Sequence, residues 1–242
     1  MLKAIFITVR TGSTRLPNKS TLQIKNKHTI EYVIDNVKKS KHADKIILCT
    51  TNLEKDEILC DIAVKNNIEY FCGDEMNKLK RWYGACRKFN VDFFVTVDGD
   101  DLFYDAGLAD LVFEQMDESD IISGQGLYND TYGIKISTLE SALVLLRGKI
   151  VEPHDLEHFG DKKLFKIKKL KNVPEIYKKK NIRMTLDYKE DFLFFSEIIN
   201  NIKLDLNIEN ILYYIHNNPD VNNINYFREL DWKKNQNRSI IE

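Results

Sequence analysis

Four short runs of branched and aromatic residues, each separated from the next by a helical stripe, constrain this chain more than any other feature. The runs cover residues 4–9, 46–50, 68–72 and 93–97. Between the first two, Ile30, Val33, Ile34 and Val37 recur at i, i+3, i+4 and i+7, the spacing of one helix face. A second helix is predicted over 56–65. Leu79, Trp82, Tyr83 and Cys86 mark a third. The run at 93–97 is almost continuously apolar, as a strand covered on both faces must be. Such alternation predicts an α/β fold, a mainly parallel sheet with helices on both faces.

Beyond residue 120 the pattern is less regular. Strands are expected at 120–123, 133–136, 164–170 and 183–186, the last ending at Asp187. Helices are expected at 139–146, 192–202 and 208–215. With 4 prolines, no Gly/Ser linker and no internal repeat, the 242 residues read as one domain, 1–242. Lys and Arg number 36 against 37 Asp and Glu, and a net charge of −1 argues against a nucleic-acid binder by bulk charge. No apolar run reaches the roughly 20 residues of a membrane span. The N-terminus lacks the apolar stretch and cleavage site of a signal peptide. Cys49, Cys60, Cys72 and Cys86 lack CxxC spacing and are expected to be buried free thiols of a reducing compartment. A cytoplasmic protein with no membrane and no nucleic-acid partner is the expectation.

Three segments carry candidate chemistry. Residues 10–19, Arg-Thr-Gly-Ser-Thr-Arg-Leu-Pro-Asn-Lys, follow the first strand and hold Gly12, hydroxyls and three cations. That is the ligand edge of a parallel sheet, where glycine admits close backbone approach and Arg and Lys neutralise phosphate oxygens. The spacing is neither Walker A nor GxGxxG. A solvated turn with incidental charges is the alternative. Asp98-Gly99-Asp100-Asp101 follows the fourth strand. Its carboxylates repel one another unless a cation sits among them, and Mg²⁺ takes one or two carboxylates plus phosphates. An exposed acidic turn is the plainer reading. Asp187, followed by Glu190 and Asp191, is either a helix cap or a ligand. His154 and His158 stand four apart without the Glu of HExxH, and the Lys-rich stretch 162–180 alternates with apolar residues like the solvated face of a strand.

The string RTGSTRLPNK resembles the signature xARxGSxRxPxK of the cytidylyltransferases that activate acidic and related sugars, the spore-coat polysaccharide type above all. CTTNLEKDEI, EYFCGDEMNKLKRWYGAC, VTVDGDDLF and NIRMTLDYKEDF resemble the family's later segments in the right order, and the tail NPDVNNINYFRE resembles its C-terminal end. The resemblance implies the nucleotide-diphospho-sugar transferase fold, a GT-A-like Rossmann arrangement. It also implies a reaction moving CMP from CTP to an acidic sugar, sugar phosphate or similar acceptor, with release of pyrophosphate. By the same resemblance, Arg10, Thr11, Gly12, Ser13, Arg15 and Lys19 hold the triphosphate, and Thr50, Thr51, Asn52 and Arg81 lie near the base. Asp100 and Asp187 hold Mg²⁺, with Lys19, Asp100 and Asp187 as the catalytic set. A smaller lobe around 120–180 would close over the acceptor and supply a homodimer interface. Leu102 stands where the family has Pro.

The segment containing Tyr132, Gly133 and Lys135 resembles the family's acceptor stretch. Lys135 and Ser137 stand where that stretch carries acids, which predicts a more anionic acceptor by charge pairing. Two other functions remain open. A GT-A glycosyltransferase would use Asp98 and Asp100 as an Asp-x-Asp metal motif but leaves Lys19 and Asp187 without a role. A non-catalytic sugar-nucleotide-binding module would not need both metal positions.

Overall fold

The computed structural model describes residues 1–145, 165–178 and 181–239. The first apolar run forms β1 (Lys3–Thr8), and a small antiparallel hairpin, β2 (Gln23–Ile24) and β3 (Lys27–His28), follows the loop after it. Then come α1 (Thr29–Val37), β4 (Lys45–Thr51), α2 (Glu57–Lys65), β5 (Glu69–Gly73), α3 (Lys78–Phe89) and β6 (Phe93–Asp98). After α4 (Ala106–Glu114) lie β7 (Ile121–Ser123), β8 (Tyr132–Lys135), α5 (Ile136–Leu145) and β9 (Ile167–Lys169). The chain continues through α6 (Lys189–Asn201), α7 (Ile208–Asn217), α8 (Asp220–Asn223) and α9 (Arg228–Ser239).

One seven-stranded sheet runs in the order β5-β4-β1-β6-β8-β7-β9. The strands β5, β4, β1 and β6 are parallel, β8 is antiparallel to both β6 and β7, and β9 is parallel to β7. The mainly parallel α/β architecture read from the alternation is therefore the one observed. Within 120–180, the described strands β7, β8 and β9 extend this same sheet.

Period-two alternation sorts the central strand between two cores. Ile5 and Ile7 join Ile30, Val33, Ile34 and Val37 of α1 and Leu108 and Val112 of α4 on one face. Ala4 and Phe6 join Leu79, Trp82 and Cys86 of α3 and Leu139 of α5 on the other. Each Val, Leu, Ile or Phe among them, once buried, stabilises the fold by roughly 1.5–3 kcal/mol. A third cluster packs Leu102, Phe103, Met184 and Leu186 against Phe194, Phe195, Ile208 and Ile211 of α6 and α7. It covers the turn after β6 with the C-terminal helices.

The chain leaves β1 toward β4 on one side and leaves β6 toward β7 on the other. The strand order thus reverses between β1 and β6, which opens a crevice at their carboxyl ends.

Two sequence expectations are corrected. Residues 183–186 form no strand. They run extended and are tied to the turn after β6 by a single backbone bond, Leu186 N–H to the Asp100 carbonyl at 2.9 Å, not by a ladder. Nor are all four thiols buried. Cys49 and Cys86 are, but Cys72 is exposed and Cys60 half-buried, and the sulfurs of these two stand 3.0 Å apart between α2 and β5. His154 and His158 lie outside the described residues. Among the described residues no helix is long and apolar enough to cross a membrane.

Candidate active site

Three side chains meet in the crevice. Lys19 opens a single 3-10 turn (Lys19–Thr21), held there by Thr29 Oγ1 at the start of α1, which donates to the Lys19 carbonyl at 2.5 Å. Its ammonium lies 2.5 Å from Asp100 Oδ2 and 2.9 Å from Asp187 Oδ1. Two oxygens that share one ammonium at those distances lie at most about 5.4 Å apart, and a small side-chain swing would bring them within the roughly 4.2 Å that opposite ligands of one octahedral Mg²⁺ span. Arg15 adds a second cation, donating from Nη2 to Asp187 Oδ1 at 2.8 Å.

Two links bring Asp187 to Asp100. Besides the Leu186–Asp100 backbone bond, Thr185 Oγ1 donates to Asp101 Oδ1 at 3.1 Å. Gly99 makes the turn itself possible, because a Cβ there would meet Val9 Cβ at 2.6 Å. Asp187 does not cap α6. Tyr188 is the N-cap residue, and Asp191 accepts from the Tyr188 N–H at 2.9 Å. The carboxylate of Asp187 is thereby left to face the cations.

Burial pushes the Asp100 carboxyl above its ordinary range, and although Lys19 pulls it down, Asp187 and Asp98 push it further up. For Asp187, burial also acts upward, but Lys19, Arg15 and Arg183 outweigh it and hold the carboxyl below that range. Lys19 is raised despite its burial, by the same two carboxylates. Burial and its acidic neighbours Asp100 and Asp98 push Asp101 well up. The crevice thus holds two carboxylate oxygens facing one ammonium. Among the described residues no group of three or more His, Cys, Asp and Glu side chains could hold a metal ion. Two carboxylates nevertheless suit Mg²⁺, which keeps waters and takes phosphate oxygens for the rest of its shell.

Residues 4–203 match the sequence profile of the cytidylyltransferases. The chain belongs to the cytidylyltransferase family. It is 24% identical to the spore coat polysaccharide biosynthesis protein SpsF of Bacillus subtilis over 226 residues, 88% of this chain and 94% of that protein. The fold is shared with a cytidylyltransferase from Leptospira borgpetersenii, at 23% identity, with a TM-score of 0.78 over 92% of this chain and 97% of the other. CMP-2-keto-3-deoxy-manno-octonic acid synthetase, solved with CTP, aligns with a TM-score of 0.62 and 13% identity over 83% of this chain and 99% of that one. The protein is accordingly a CTP-dependent nucleotidyltransferase.

The rest of this cytidylyltransferase's loop is pinned from the side. Thr11 gives both its N–H (2.7 Å) and its Oγ1 (2.6 Å) to Asp56 Oδ1, while Thr51 Oγ1 donates to Asp56 Oδ2. Gly12 lies beside Lys55, whose Nζ a Cβ there would meet at 3.0 Å, and Ser13 Oγ accepts from the Leu16 N–H at 3.4 Å. Arg10 and Asn52 are exposed. Thr50 Oγ1 and Arg81 Nε are buried without a hydrogen-bond partner among the described residues, two polar atoms left for something else to satisfy. Burial, with Arg10 adding to it, lowers the Arg81 guanidinium.

The structure does not bring the acceptor candidates together. Lys135 pairs with Phe93 and Gly133 with Val95, so β8 carries them away from the Asp98 end of β6. Lys135 lies beside the first residue of β6, at the opposite end of that strand from Asp98 and the turn that carries Asp100. Gly133 is packed shut, since a Cβ there would meet Phe93 Cζ and Val112 Cγ1, each at 2.5 Å. Tyr132 is nearer the crevice, its N–H donating to Thr96 Oγ1 at 3.1 Å.

Sequence reasoning missed Asp56, Lys78 and Arg183, and it read Asp191 only as a cap, which it is. Asp56 looked like a helix start, yet its carboxylate turns back to Thr11 and Thr51. Lys78 is buried beside the crevice, its ammonium 3.2 Å from Asp98 Oδ1 and 4.9 Å from the Trp82 ring centroid. Arg183 and Asp191 lie behind Asp187, joined by bonds of 2.9 and 3.2 Å. A lone buried-type charge in an apolar stretch, as Arg183 is in Asn-Ile-Arg-Met, was the available signal.

Proposed function

We propose that this protein transfers CMP from CTP to an acidic sugar, sugar phosphate or similar small acceptor and releases pyrophosphate. The convergence of Lys19, Asp100 and Asp187 at the β1–β6 crevice carries the reading. A glycosyltransferase of the Asp-x-Asp kind is less favoured, because Asp98 pairs with Lys78 while Asp100 faces Asp187 across Lys19.

Asp100 and Asp187 would hold Mg²⁺. The Lys19 ammonium between them supports that fit, since the two oxygens already share one cation. Bound there, the ion would draw charge from the α-phosphate and help orient the attacking oxygen. The chain's own residues do the rest. Arg10, Arg15 and Lys19 neutralise the triphosphate, with the guanidiniums able to take two oxygens at once. Thr11, Gly12 and Ser13 give the phosphates a backbone approach whose shape Asp56 holds. Thr50–Asn52 and Arg81 border the base, and the unpartnered Thr50 Oγ1 and Arg81 Nε suit its polar edge. Displacement then runs in line at the α-phosphorus, with positioning and charge neutralisation supplying most of the rate.

The name of the synthetase sharing the fold, which makes a CMP-linked acid, supports an acidic acceptor. The test is a pyrophosphate-release screen of CTP, UTP, GTP and ATP against acidic sugars, sugar phosphates and other small phosphates, with and without Mg²⁺. The expected result is release with CTP, only with the metal. Glycosyl transfer from a sugar nucleotide without pyrophosphate release would overturn the reading.

A further inference from the structure

The family match ends at residue 203, yet the chain beyond it reaches back to the crevice. Arg183 is 3% exposed and touches three carboxylates. Its Nη2 donates to Asp187 Oδ2 at 3.2 Å, its Nε to Asp191 Oδ1 at 2.9 Å, and its Nη1 to Glu229 Oε2 at 3.3 Å. Asp191 is fully buried and also accepts from the Asp187 N–H at 2.8 Å. Asn225, between α8 and α9, is equally buried and donates to the Arg183 carbonyl at 3.1 Å and to Asp191 Oδ1 at 2.9 Å. The Trp232 ring lies 5.9 Å from the guanidinium.

This arrangement divides the two oxygens of Asp187. Oδ2 is tied back to Arg183, and Oδ1 is turned to Lys19 and Arg15 in the crevice. We propose that Glu229 of α9 and Asn225 of the turn before it, both outside the matched region, are positioning residues of the transfer site. They hold Arg183 and Asp191 behind Asp187 and set how strongly its crevice-facing oxygen binds a cation. The inference rests on the reading of Asp187 as a metal ligand.

The physical link is charge sharing. Glu229 takes part of the field of Arg183. Without its negative charge the guanidinium acts more fully on Asp187, which becomes a weaker donor to a divalent ion. Asn225 acts through its hydrogen bonds, keeping the Asp191 carboxylate against the Asp187 N–H. Partners at this remove from a metal ligand commonly change metal affinity by about 10- to 100-fold when lost.

The experiment measures Mn²⁺ binding by electron paramagnetic resonance on the full chain with a non-hydrolysable CTP analogue present, beside melting temperature, kcat and the KM for CTP. Glu229→Gln, which keeps shape and loses charge, should weaken Mn²⁺ binding about tenfold. Its kcat should fall at limiting metal and recover at high metal, with KM for CTP unchanged once metal is saturating. Glu209→Gln, an exposed charge of the first turn of α7, should match the wild type. Asn225→Ser carries the same expectation if Glu229→Gln does not fold. Wild-type Mn²⁺ affinity in either folded variant would overturn the inference. Asp187→Asn, measured alongside, separates the two levels. If it too binds Mn²⁺ normally, the ligand reading itself fails; if it alone loses the ion, only the role of the C-terminal helices does.

Discussion

The turn after β6 and the extended segment before α6 each present one carboxylate to the same ammonium, but they hold it in different ways. Asp100 hangs from a tight Gly99 turn among other acids, and burial, then Asp187 and Asp98, favour its protonation. Among the described residues Lys19 is its one ion-pair partner. Asp187 sits in a cage of three cations, Lys19, Arg15 and Arg183, that favour its ionised form. Folding therefore disfavours the charged form of one carboxylate and favours that of the other.

The largest expected effect is on turnover and is the same for both. Asp100→Asn and Asp187→Asn should each lower metal-dependent pyrophosphate release by at least about a thousandfold, the equivalent of roughly 4 kcal/mol in the barrier. Single-turnover assays check this, and a tenfold or smaller loss for either one would break the pairing.

Stability should then split the two. Asp187→Asn leaves Arg183 and Arg15 short of a charged acceptor and should cost about 1–3 kcal/mol. Asp100→Asn removes a carboxylate that the fold does not favour ionised and should stay within about 1 kcal/mol of the wild type. Denaturant unfolding without metal or nucleotide measures both. The sign with pH follows from the depressed carboxyl of Asp187. Its contribution is present above the unfolded value, about 3.9, and is lost as pH falls through the lower folded value. The gap between wild type and Asp187→Asn should therefore close on acidification below about pH 4. Equal stability losses for the two variants at neutral pH would erase the distinction drawn here.

A smaller effect concerns the loop wall. Asp56→Asn keeps shape but loses the charge that accepts from Thr11 and Thr51. It should raise KM for CTP about tenfold with kcat little changed, a cost of roughly 1.4 kcal/mol in binding. A fall in kcat at unchanged KM would mean that Asp56 acts on the reacting phosphate itself. The smallest effect belongs to Lys135→Ala. From beside the far end of β6 it should leave the KM of every active acceptor within about twofold, and a larger rise would mean the acceptor reaches much further along β8 than its register suggests.

Legibility followed chain distance. The α1 stripe of Ile30, Val33, Ile34 and Val37 is fully buried on one face of the sheet because periodicity is a local property that packing had only to accept. The positions of Lys19 and Asp100 were readable for a similar reason, since each follows a strand whose carboxyl end faces the crevice. The supposed strand at 183–186 misled, because an extended apolar segment looks the same whether it pairs in a ladder or lies along a turn. Lys135 misled because a motif places a residue in order along the chain but says nothing about the register of β8 on β6.

The amino-acid order by itself determined the layered α/β architecture, the charged loop after β1 and the acidic turn after β6, because each rests on neighbours in the chain and on a period of two or 3.6 residues. Only the tertiary structure decided that Asp187 shares an ammonium with Asp100 across 87 positions, that Asp56 holds the loop and that Glu229 reaches Arg183 from α9. Those contacts depend on which buried charge finds which partner once water is excluded. That choice belongs to the assembled crevice, and no local pattern records it.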